Sequence, residues 1–80
     1  MNLVNLTEFL VKNLVTDPEA VNVKQIDNDD YILIEVIVNE KDKGKVIGKS
    51  GNVANAIRTI VSASSYVSGN KKVRIDIDSI

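Results

Sequence analysis

The stretch GKVIGKSG, residues 44 to 51, holds three of the chain's four glycines with two lysines and a serine. Glycine lets a backbone approach a ligand closely, lysine brings positive charge, and the serine hydroxyl can donate or accept. The chemistry on offer is therefore anion binding. Spacing separates two kinds of anion loop. A nucleotide-binding P-loop, G-x-x-x-x-G-K-[S/T], needs a glycine five positions before Gly48, where Lys43 stands; Gly44 misses by one. A P-loop also follows directly on a buried strand, and here NEKDK intervenes after residue 38. The other parse is Gly48-Lys49-Ser50-Gly51, a GxxG turn between two helices. Its glycines admit tight dihedrals, the amides that open the next helix carry partial positive charge, and Lys49 sits at the tip. That arrangement suits the sugar-phosphate backbone of a strand better than a nucleotide.

Charge is distributed to match. The net charge of −1 conceals two basic residues against eight acidic ones in residues 1 to 40, then eight basic residues against Asp42 alone in residues 41 to 74. The positive charge thus shares its segment with the glycines, as an anionic polymer would require. With neither histidine nor cysteine, imidazole bases, thiol nucleophiles, disulfides and zinc clusters are excluded. Ser50 has no evident base to activate it, so no enzyme is expected, and no metal or cofactor. Asp27-Asn28-Asp29-Asp30 lacks the ligand and glycine that a calcium loop needs at positions 31 and 32, and reads as a turn. The aromatic residues Phe9, Tyr31 and Tyr66 do not interleave with the basic stretch, which argues against stacking platforms. No apolar run approaches a membrane span and the N-terminus has no basic leader, so a cytoplasmic protein without membrane insertion is expected.

These residues need elements to position them. Leu3, Leu6, Leu10 and Leu14 predict an amphipathic helix over 3–15, capped by Asn2 or Asn5 and ended by Asp17-Pro18. VNVKQI (21–26) and YILIEVIV (31–38) predict a hairpin about DNDD, the second strand central in its sheet. A short charged helical turn follows at 42–47. NVANAIRTIVSASSYV predicts a long helix closed by Ser68-Gly69-Asn70, and KVRIDI a last strand. The order is α-β-β-α-α-β in one domain spanning 1–80. On the long helix, Val53, Ala54, Ala56, Ile57, Ile60, Val61 and Ala63 cover an arc of about 180°, wider than the ~100° that packing on one sheet uses.

VIGKSG, preceded by DKGK and followed by NVANAIRTIV, resembles the KH domain, whose GxxG loop clamps single-stranded nucleic acid. The element order is that of the type II form, and the whole chain resembles the small stand-alone bacterial KH proteins of the KhpA (YlqC) family. The resemblance implies an α+β fold with a three-stranded mixed sheet and three helices on one face. It also implies single-stranded RNA as partner with low sequence specificity, a role as RNA chaperone or post-transcriptional regulator, and a homodimer or a heterodimer with the larger protein KhpB, also called Jag. Carried onto this sequence, the phosphates fall at Gly48, Lys49, Ser50 and Gly51, with Lys45 and Arg58 at the rim. Val46, Ile47, Val53, Ala54 and Ile57 form the groove floor or belong to the core. Lys71, Lys72 and Arg74 flank the site or solvate a strand end. Val53, Ala56, Ile57 and Ile60 are the expected pairing surface. Family members often carry basic residues where this chain has Asn52 and Asn55. The competing expectation is a protein-interaction module whose GxxG is only a turn.

Overall fold

The computed structural model describes residues 2–67 and 71–80. Helix α1 (Leu3–Lys12) opens on Asn2, whose side chain accepts a hydrogen bond from the Asn5 amide at 2.7 Å. It ends three residues short of the expected stop, because Asn13 caps it and its side chain donates to the Phe9 carbonyl at 2.6 Å. Its buried stripe is Leu3, Thr7 and Val11, with Leu6 and Leu10 half-buried and Leu14 exposed. Thr7 can join that stripe because its hydroxyl donates to the Leu3 carbonyl at 2.7 Å, so burial leaves no polar atom unsatisfied. A short 3-10 turn (Pro18–Ala20) leads into strand β1 (Asn22–Asp27) and, after a turn, strand β2 (Tyr31–Val38).

The strand β2 lies between its two neighbours, antiparallel to β1 and parallel to β3 (Lys72–Ser79). Alternation explains its place: Ile32, Ile34, Val36 and Val38 are buried, while Tyr31, Leu33, Glu35 and Ile37 are only half-covered. A parallel return to β3 demands a crossover, and two helices make it. Helix α2 (Glu40–Ile47), capped by Asn39, contributes Val46; helix α3 (Asn52–Val67) contributes Ile57 and Val61. Together with α1 they close the face of the sheet that carries the buried β2 residues. The result is the expected α+β architecture, α-β-β-α-α-β with a mixed three-stranded sheet. The predicted helix closure at 68–70 lies outside the described residues.

The one acid of the basic segment fastens this arrangement. Asp42 is fully buried and accepts hydrogen bonds from the Thr16 amide (3.0 Å), the Thr16 hydroxyl (2.8 Å) and the Asp17 amide (3.1 Å). The Thr16 amide is the main cause holding its carboxyl below the ordinary value of 3.8; the Thr16 hydroxyl, the Asp17 amide and Lys45 act in the same direction, and burial opposes them. Asp42 thereby staples the start of α2 to the segment that leaves α1.

Candidate nucleic-acid interface

The GxxG turn occupies the junction of α2 and α3 as a single 3-10 turn, Lys49–Gly51. Gly48 has φ 76° and ψ 175°, a region open to glycine almost alone, and Gly51 has φ 77°. Gly48 carries a second constraint. A Cβ there would lie 2.4 Å from Val53 Cγ2 and 2.9 Å from the Val53 amide nitrogen, so glycine lets α3 pack onto the turn. At Gly51 the nearest atom to such a Cβ is Asn55 Nδ2 at 4.0 Å, leaving φ as the main constraint. Ser50, at φ 57° and ψ 24°, is the one described non-glycine residue with positive φ.

Hydrogen bonding divides the turn's amides into two pairs. Gly48 donates to the Gly44 carbonyl at 2.8 Å and Gly51 to the Gly48 carbonyl at 3.2 Å, so both are spent on closing the turn. The amides of Lys49 and Ser50 have no such partner among the described residues, and both residues are exposed at the tip. Two free amides beside the Lys49 ammonium can receive a phosphate oxygen. Of the four expected positions, the middle two therefore keep a backbone amide free of a partner within the turn.

Sequence-predicted rim and floor residues separate clearly. Lys45 is exposed on the last turn of α2, its ammonium 3.9 Å from the buried Asp42 carboxylate. Ile47 is half-buried, whereas Val46 at 0% and Ile57 at 4% exposure lie in the core, where they support the turn from beneath and have little surface for a ligand or a partner. Arg58 is exposed on α3 and lines a surface depression with Lys72, Val73 and Arg74 of β3. It stands seven residues beyond Gly51, or about 10 Å along the helix.

The wide apolar arc of α3 divides as well. Ile57 and Val61 point into the core with Ser65, whose hydroxyl donates to the Lys71 carbonyl at 3.0 Å. Val53, Ala56 and Ile60 instead line a groove of about 420 Å³ against Phe9, Leu10 and Leu14 of the α1 region. Phe9 is 59% exposed and Ile60 47%. The sequence reading weighed Phe9 only as an aromatic and not as part of this surface, because it stands off the leucine stripe.

A family model described as KhpA/KhpB, KH domain, matches residues 4–77. "RNA-binding protein KhpA" of Clostridium perfringens is 44% identical over 72 residues, covering 90% of this chain and 95% of that protein. The Borreliella burgdorferi protein of the same name is 36% identical over 76 residues, covering 95% and 92%. Among solved structures, Era of Aquifex aeolicus bound to GDP and aluminium fluoride superposes with a TM-score of 0.78 at 18% identity. The match covers 98% of this chain and 30% of Era, a likeness of fold. Among the described residues no helix is long and apolar enough to cross a membrane. With a family model matching residues 4–77 and relatives covered over nearly their whole length, the chain belongs to the KhpA/KhpB KH-domain family.

Proposed function

We propose that this protein binds single-stranded RNA with low sequence specificity, holding the sugar-phosphate backbone at the GxxG tip, and acts as an RNA chaperone or post-transcriptional regulator. The observation that carries this reading is the pair of unpartnered amides at Lys49 and Ser50, exposed beside the Lys49 side chain. The printed names of the relatives, RNA-binding proteins, support it. Lys45 and Arg58 add positive charge on either side, and Ile47 offers apolar surface next to the turn. Pairing accompanies binding: the groove of Phe9, Val53, Ala56 and Ile60 is the surface for a second copy or for a KhpB/Jag-like chain.

One observation favours the interaction-module reading. Gly48 is already required by its own packing on Val53, so its presence needs no ligand. The double variant Lys49→Asp with Ser50→Asp decides between the two. Aspartate tolerates the left-handed backbone of Ser50, and both glycines remain, so the circular dichroism spectrum and melting temperature stay as in the wild type. Two carboxylates at the phosphate position are expected to lower RNA affinity at least about tenfold in a fluorescence anisotropy titration. Undiminished binding by the folded variant would establish the turn as structural only.

A further inference from the structure

The fold interleaves aromatic and basic residues that the sequence keeps apart. Parallel pairing sets Tyr31 of β2 opposite Lys72 of β3, and the Arg74 guanidinium lies 5.2 Å from the centre of the Tyr31 ring. Around the edge of β3, a depression of about 480 Å³ joins Tyr31, Lys72 and Arg74 to Arg58 of α3. A second depression of about 740 Å³ shares Arg58 and Lys72 and runs on to Tyr66, which is 83% exposed. The two basic side chains common to both depressions thus stand between two tyrosines. Asp30 is the one acid lining either depression, so the surface remains net positive.

We infer that Tyr31 and Tyr66 form a stacking bracket for two nucleobases flanking those held at the GxxG turn, with Arg58 and Lys72 on the intervening phosphates. The inference rests on the RNA-binding reading above and extends it to a longer stretch of strand. Aromatic rings give sequence-tolerant stacking because every base has a π-face, and arginine beside a ring adds cation–π attraction. Charge complementarity selects a polyanion here, and the alternation of ring and cation matches the alternation of base and phosphate along an unpaired strand.

The test compares fluorescein-labelled oligouridylates of four and ten nucleotides, titrated by anisotropy with the full chain. Wild-type protein is expected to bind the longer probe more tightly. Tyr31→Leu with Tyr66→Leu is expected to keep its affinity for the short probe and to lose about 25-fold or more on the long one, since each stack contributes about fivefold at least. Tyr66→Leu alone, at a side chain that folding does not need, is expected to lose about fivefold on the long probe only. Equal affinity of the folded variants and the wild type for the long probe would overturn the bracket while leaving the GxxG reading intact. Wild-type protein that bound neither probe would overturn both.

Discussion

The helix α3 presents two opposed sides, and they differ in kind. Toward β3 it offers Arg58 beside Lys72, a surface whose net positive charge is set among Tyr66, Val67 and Val73. Toward α1 it offers Val53, Ala56 and Ile60 beside Phe9, an apolar groove with almost no polar lining. Between them Ile57, Val61 and Ser65 hold the helix to the core. An α-helix advances ~100° per residue, so sixteen residues supply three stripes; Val53 and Ile57 border both core and groove, while the β3-facing side shares no side chain with the groove. The lesson is that nucleic-acid contact and chain pairing, if both occur, draw on separate residues and can be separated by mutation.

The most damaging change acts beneath both sides. Gly48→Ala forces a Cβ into Val53 at a dihedral pair that alanine avoids, and is expected to cost about 3 kcal/mol or more. Gly51→Ala meets open space and is expected to cost only about 1–2 kcal/mol. Chemical denaturation reads both, and equal losses would show that packing on Val53 contributes nothing.

A substitution on one side should leave the other untouched. Ile60→Asp is expected to weaken self-association or partner binding by about 2 kcal/mol, measured by sedimentation equilibrium, with RNA affinity of the monomer unchanged. Arg58→Gln is expected to keep the mass distribution and to flatten the slope of log affinity against log salt by about 0.7. If Arg58→Gln altered association, or Ile60→Asp the salt slope, the separation of sides would fail. The gentlest effect appears with pH and involves neither side. Asp42 has its carboxyl depressed in the folded state, so its contribution is complete above the ordinary value of 3.8 and is lost as pH falls below it toward the folded value. Melting temperature is expected to decline in that acid window, and Asp42→Asn to show a shallower decline from a lower starting point.

Much of this was legible because it was local. Strict alternation along β2 placed a central strand, the GxxG spacing placed the helix junction, and the excess apolar arc of α3 announced a surface beyond the core. Asp42 was not legible, since its partners at Thr16 and Asp17 become neighbours only when the fold forms, and in the chain it reads as a lone acid among lysines. The Tyr31–Arg74 contact was hidden for the same reason: the β2–β3 register creates it. The stripe of α1 misled because leucine is more conspicuous than threonine, while a hydroxyl that bonds its own helix can be buried with no polar atom left unsatisfied.

The parallel pairing of β2 with β3 also orders events in time. The β1–β2 hairpin closes over a three-residue turn, whereas Tyr31 meets Lys72 only after the whole helical crossover has been gathered in. Long-range closure carries the larger entropic barrier, so we expect β3 to dock after the folding transition state has formed. Val73, 2% exposed near the start of that pairing, is the probe: Val73→Ala is expected to remove about 2 kcal/mol, nearly all of it as faster unfolding in a stopped-flow chevron. Slowed folding instead would put β3 in the nucleus. On this ordering the last strand to arrive is the one that brings Lys72 and Arg74, and the long basic surface comes into being only when the chain has otherwise finished folding.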